Sequence, residues 1–267
     1  MMKFERIELS DGAYMEAYIA DPVRCFTRRA LLVIPGGGYG CVCSEREGEP
    51  IAMAFLPHGY NTFVLHYTVG RKKPFPTQLT EACRAIAYIK ANADAWGLDA
   101  EEVFVVGFSA GGHLAASTAV YWKHPSVAAA GIDPQAARPT GVMLIYPVIN
   151  GESHMGSMQN LFCTDTPTKE QQDTGALERH VEADSSPAFF MHTSNDATVD
   201  VRGSLAMAAA YRAAGVEFEM HIYPDGAHGA ALGNRITQCG DAHKPDPALA
   251  RWVEHAAAWA DKICENK

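Results

Sequence analysis

The sequence predicts an α/β fold, a mostly parallel sheet with helices packed on both faces. Three observations carry that prediction. Short apolar runs recur at 30–34, 102–106, 141–145 and 187–191, with the continuity expected of strands covered on both sides. Stretches of helical length alternate with them. Gly107-Phe-Ser109-Ala-Gly111 joins one run to a helix of small residues. This is the G-x-S-x-G pattern of a sharp strand-to-helix turn that presents a serine hydroxyl above a sheet. Gly107 and Gly111 are required there, because a Cβ at either position would collide with the neighbouring strand or helix.

Taken in order, residues 14–20 suggest an early strand. The next run, 30–35, ends in Gly36-Gly37-Gly38-Tyr39, where glycines let the backbone approach a bound group and leave N–H groups free. A short helix over 49–58 stops near Gly59. A strand over 61–67 leads into a loop, 68–76, whose Arg71, Lys72 and Lys73 read as solvated cations. Leu79, Cys83, Ile86, Ile89, Ala93 and Trp96 recur at helical spacing, so 77–96 reads as one amphipathic helix stopped by Gly97. The serine turn and its helix run to about Trp122. Residues 131–139 read as a loop and 141–147 as a buried strand. Periodicity breaks down from 150 to 186, which reads as a lid or cap inserted over the sheet. A strand at 187–193, a helix at 200–214 closed by Gly215, a period-2 strand at 216–223 and a helix at 247–264 complete the chain. Nothing repeats internally, and the 267 residues are expected to form a single domain.

A hydrophobic fraction of 48% supports a large core. Net charge of −9, from 22 Lys+Arg against 31 Asp+Glu, disfavours nucleic acid and anionic membranes as partners. No apolar run approaches the ~20 residues of a membrane span. The first residues lack the apolar core of a secretory signal, so a cytoplasmic location is expected. Seven scattered cysteines read as free thiols in that compartment. Cys41 and Cys43 are too close for a zinc pair, so no metal site is expected. A homodimer is left open.

A serine hydroxyl becomes nucleophilic when a base takes its proton, and the base needs a carboxylate to hold its tautomer. His228, in the glycine-flanked loop after the last strand, is the best base. His221 lies inside that strand, His192 reads as a satisfied core histidine, His113 as packing beneath the serine turn, and His243 lies in a polar loop. Asp196, just past an apolar strand, is the best acid, because open α/β sheets carry functional loops at strand ends. Asp200 is the runner-up and reads as a helix cap. Asp225 is too near His228 in the chain to lie behind its ring. The order Ser109…Asp196…His228 is that of the α/β-hydrolases. Oxyanion donors are expected from the N–H groups of Gly37, Gly38 and Ala110. Tyr39, Tyr67, Tyr146, His154 and Asn160 are expected as substrate contacts, the last two from the lid.

Several segments resemble one known family. They are Pro35-Gly-Gly-Gly-Tyr39, Glu47-Gly-Glu-Pro50, Gly59 to Tyr67, Gly107 to Leu114, Ile145 to Ile149, His192-Thr…Asp196 and His221 to Gly229. Together, from about residue 30 to 230, they resemble the esterase/lipase-like α/β-hydrolases related to acetyl xylan and feruloyl esterases. The resemblance implies Ser109 as nucleophile, Asp196 as acid and His228 as base, with no cofactor. Hormone-sensitive-lipase relatives begin the oxyanion loop with His, where Pro35 stands here. The expected activity is hydrolysis of short-acyl esters, with acetylated sugars or imported oligosaccharides as substrates. An arylformamidase, a small serine peptidase and an inert binding module on the same fold are the alternatives.

Overall fold

The apolar runs pair into one eight-stranded sheet. Its strands are β1 (Lys3–Ser10), β2 (Ala13–Ile19), β3 (Arg28–Ile34), β4 (Tyr60–His66), β5 (Leu98–Phe108), β6 (Gly141–Ile145), β7 (Ala188–Thr193) and β8 (Phe218–Tyr223). The computed structural model describes residues 2–240 and 244–265; His243 lies outside them. Strand order is β1-β2-β4-β3-β5-β6-β7-β8. β2 runs antiparallel to β1 and β4, and every other pair is parallel.

Alternate residues of the central strands feed two cores. Leu32, Ile34, Val105, Leu144 and Phe190 pack beneath α3 (Thr77–Ala91), α5 (Ala110–Val120) and α10 (Arg202–Ala214). Leu31, Val33, Val106, Met143 and Phe189 pack against α2 (Glu49–Phe55) and α11 (Trp252–Glu265), where Phe55, Trp252 and Trp259 fill the interface. This two-sided burial explains why β3, β5, β6 and β7 read as continuous apolar runs. Among the described residues, no helix is long and apolar enough to cross a membrane.

Several elements depart from the sequence reading. β1 was not expected as a strand: it lies at the sheet edge, exposed or half-exposed along its length, so it lacks a buried face's apolar signal. The helix expected over 77–96 breaks at Asn92, whose ψ of 10° leaves the helical region, and resumes as α4 (Ala93–Trp96). Gly97 ends it in the left-handed conformation as expected, with φ of 62°. The loop at 131–139 contains α7 (Pro134–Ala137), preceded by α6 (Pro125–Ala129). Each has Pro in its first turn behind a side-chain cap, and each is too short to show a period.

The 150–186 segment is also helical. It comprises α8 (Gly151–Leu161) and α9 (Lys169–Gly175), each opened by a capping box, followed by a 3-10 turn at 177–180. Met158, Leu161 and Leu177 enter the main core, so the excursion is packed onto the domain.

Candidate active site

β5 turns into α5 (Ala110–Val120) at Ser109, whose φ of 53° and ψ of −119° place a non-glycine residue in a strained region. The neighbouring glycines permit this turn. A Cβ on Gly107 would lie 2.2 Å from the Gly111 carbonyl oxygen, and one on Gly111 would lie 2.1 Å from that of Ile34. Backbone bonds hold the turn from both sides: Ser109 N–H donates to Ile145 O at 3.0 Å, and Val148 N–H donates to Ser109 O at 3.0 Å.

Loops after β7 and β8 bring the other two expected groups to this hydroxyl. Ser109 Oγ lies 2.8 Å from His228 Nε2, and His228 Nδ1 lies 2.7 Å from Asp196 Oδ2. The carboxylate can only accept, so Nδ1 carries the proton and Nε2 can receive one from Ser109. Asp196 Oδ1 accepts the N–H groups of Thr198 and Val199 at 2.8 and 2.9 Å. His192 Nε2 approaches Oδ2 at 3.3 Å. Burial pushes the Asp196 carboxyl up, but the hydrogen bonds from His192 and His228 outweigh it and hold it well below the usual carboxylate range. The carboxylate on His228 Nδ1 is that of Asp196; the runner-up Asp200 accepts Arg202 N–H at the start of α10, and Asp225 accepts from Asn195.

The glycine loop after β3 supplies the donors. Gly36 N–H is committed to Glu47 Oε2 at 2.8 Å. Gly37 and Gly38 have φ of 124° and 62°, and both line the cavity above Ser109. Neither N–H has a protein acceptor among the described residues. Ala110 opens α5, where the first N–H groups have no intrahelical acceptor. The cavity, about 210 Å3, also borders His154, Thr198, Cys43 and Glu47. Burial and the Glu47 carboxylate push the Cys43 thiol up to about 12, so it stays protonated beside Ser109.

His154, expected as a substrate contact, lies at the border of this cavity. It interrupts α8 with an extended φ of −163°. Its Nδ1 accepts Ser157 N–H at 3.1 Å, which leaves the proton on Nε2. Burial and then the nearby His228 lower its pKa, so a neutral imidazole borders the cavity.

The other expected substrate contacts are corrected. Tyr39, Tyr67 and Tyr146 are each no more than 2% exposed, and none borders the Ser109 cavity. Tyr39 OH donates to His113 Nδ1 at 2.8 Å, and Tyr67 OH donates to Pro35 O at 2.9 Å. Tyr146 OH donates to Glu47 Oε1 at 2.8 Å and accepts Ala231 N–H at 3.0 Å. They are buried struts whose hydroxyls are spent on the scaffold. Asn160 is corrected likewise: its Nδ2 donates to Gly38 O at 2.9 Å, and its Oδ1 accepts from Arg71 Nε at 2.9 Å. It clamps the glycine loop to α8.

Glu47, which ends α1 (Ser44–Glu47), was not singled out for a role from the sequence. It is only 2% exposed and connects two loops of the site. One oxygen holds Gly36; the other holds Tyr146, whose ring packs edge-on to His228 with centroids 5.0 Å apart. Adjacent Arg46 donates to Gly229 O at 2.8 Å. Burial raises the Glu47 carboxyl pKa, opposed by the Gly36 and Tyr146 hydrogen bonds. The sequence signal was an acid several residues beyond a glycine loop, which is too common to single out a role.

Residues 21–211 match the family model BD-FAE. Endo-1,4-beta-xylanase B of Butyrivibrio fibrisolvens is 35% identical over 212 residues, covering 78% of this chain and 33% of the relative. An acetylxylan esterase of Xylanibacter ruminicola is 28% identical over 215 residues, covering 77% of this chain and 42% of that protein. The chain thus spans well under half the length of these curated relatives. The crystal structure of an acetyl ester-xyloside bifunctional hydrolase from Caldicellulosiruptor lactoaceticus superposes with a TM-score of 0.83 at 29% identity, covering 97% of this chain and 96% of that one. With a matched family model over most of its length and an α/β-hydrolase sheet carrying a serine at the β5–α5 turn, the chain belongs to the BD-FAE family of α/β-hydrolase esterases.

Proposed function

We propose that this protein hydrolyses short-acyl carboxylic esters, with acetylated sugars or oligosaccharides as its substrates. The observation that carries the reading is the hydrogen-bonded chain Asp196–His228–Ser109 beneath a small cavity bordered by Gly37 and Gly38. Ser109 Oγ attacks the acyl carbon as His228 Nε2 takes its proton, and Asp196 stabilises the resulting imidazolium. The N–H groups of Gly37, Gly38 and Ala110 receive the developing oxyanion. Collapse expels the alcohol, which takes the proton from His228. Water activated by the same imidazole then releases the acid. The Ser109 cavity of about 210 Å3 favours acetyl or propionyl over longer chains. The sugar preference is supported by the acetylxylan esterase and acetyl ester-xyloside hydrolase among the relatives.

The test is a kcat/KM series over p-nitrophenyl acyl esters, run beside acetylated xylo-oligosaccharides. Acetate should exceed octanoate by roughly tenfold or more. Ser109→Ala should lose roughly a thousandfold or more in kcat and fail to label with a fluorophosphonate. Parent-level turnover in that variant would sink the mechanism. A rate maximum at long chains would replace the short-acyl reading with a lipase-like one.

A further inference from the structure

Two cavities meet at His228. The smaller contains the Ser109 hydroxyl and the glycine loop. The larger, about 810 Å3, shares His228 and Thr198 with it and is built from the loops after β7 and β8 together with residues 244–249. Sites that enclose a small-molecule ligand commonly measure ~300–1,000 Å3. At about 210 Å3 the Ser109 cavity falls below that range, whereas the larger cleft lies within it.

The chemistry decides which part of an ester belongs in which space. When the acyl C–O bond breaks, the proton that His228 took from Ser109 passes to the alcohol oxygen. That oxygen must lie within hydrogen-bond reach of His228, while the carbonyl oxygen lies at the glycine loop. The alcohol thus extends from His228 away from the oxyanion donors.

We infer that the cleft shared by His228 and Thr198 is the leaving-group site, and that it takes an uncharged polyhydroxyl alcohol such as a sugar unit. This rests on the ester-hydrolase reading above and gives its sugar a place. The cleft offers the Asn195 amide, the Thr198 hydroxyl and the carboxylates of Asp225 and Asp246. Asp225 Oδ1 accepts from Asn195 Nδ2 at 3.0 Å, and Oδ2 has no protein donor among the described residues, so it can accept from a sugar hydroxyl. The exposed Pro245 and Pro247 add apolar surface suited to a sugar's C–H face. Among the described lining residues, two carboxylates stand against the single Lys244, which on a chain of net charge −9 disfavours an anionic alcohol.

The test compares parent, Asp225→Asn and Pro247→Trp on acetylated xylo-oligosaccharides and on p-nitrophenyl acetate. The readout is the ratio of the two kcat/KM values, because damage to the triad lowers both and leaves the ratio intact. Pro247, at an exposed position, keeps the test independent of the Asn195–Asp225 contact. The ratio should fall about fivefold in Asp225→Asn and about tenfold or more in Pro247→Trp, mostly through a raised KM for the oligosaccharide. Ratios within twofold of parent in both variants would overturn the cleft while leaving the esterase reading intact. A parent that cleaves p-nitrophenyl acetate but no acetylated sugar would overturn the sugar reading and this inference with it.

Discussion

The two walls around His228 are built from opposite materials. Behind the glycine loop stand Glu47, Tyr39, Tyr67 and Tyr146, nearly unexposed, with hydroxyls and carboxylate spent on named partners. Across the histidine, Asn195, Thr198 and Asp225 are exposed and have hydrogen-bonding capacity left over. The difference follows from what each wall must do. Oxyanion donors are useful only when aimed before the reaction, and a buried, fully bonded network removes the freedom to re-aim. An alcohol site need only offer partners to hydroxyl groups that would otherwise bond to water. Substitutions behind the glycine loop should therefore act on kcat and stability, and those in the cleft on KM.

Among substitutions in the two walls, the largest effect should come from Gly36→Ala. The new Cβ would lie 2.8 Å from Glu47 Oε2 and from Phe108 O, and 2.9 Å from Ser109 Cβ. Displacing both loop donors should lower kcat by roughly a thousandfold, on the scale of losing an oxyanion donor. Single-turnover acylation measures it, and a near-parent rate would show that the loop tolerates movement.

Next is the pH dependence of His113. Burial lowers its pKa from 6.5 to about 4, so the native state keeps it neutral while the unfolded chain would protonate it. The unfolded state binds more protons between those values. Stability is therefore full above about pH 6.5 and falls as pH drops towards 4, by about 3 kcal/mol. Urea midpoints at pH 7 and 4.5 should show the loss, and His113→Gln should flatten it. An unchanged slope in that variant would assign the loss to other groups.

Glu47→Gln should lower kcat by roughly tenfold to a hundredfold with little change in KM, because Gly36 N–H and the Tyr146 hydroxyl, which in turn accepts from Ala231 of the His228 loop, lose their shared acceptor. A rise in KM with kcat preserved would instead place Glu47 in substrate binding. The smallest effect is Tyr67→Phe. Removing its bond to Pro35 O should cost about 1 kcal/mol of stability and leave KM for p-nitrophenyl acetate unchanged, as befits a strut. A severalfold KM change would restore Tyr67 as a substrate contact.

What could be read from sequence was local in origin. The strained serine turn needs glycine two residues either side of Ser109, and buried parallel strands need continuous apolar runs. Those demands act within a few residues of chain, so they leave a pattern. Asp196 and His228 were legible for a related reason, since strand ends bring their loops to the same edge of the sheet. β1 and the helices within 150–186 were missed because an edge strand that packs only Ile7 and Leu9 on the core and short capped helices carry too brief an apolar pattern.

The sequence by itself thus determined the fold class, the serine turn and the three residues that meet there. Only the tertiary structure decided which polar side chains face substrate. Tyr146 and Glu47 meet across 99 positions of chain, and Asn160 reaches Gly38 across 122. Whether a tyrosine lines a cavity or braces a loop depends on which strand or helix lies opposite it. That is set by sheet order and helix packing, and nothing in the residue's own neighbours along the chain encodes it.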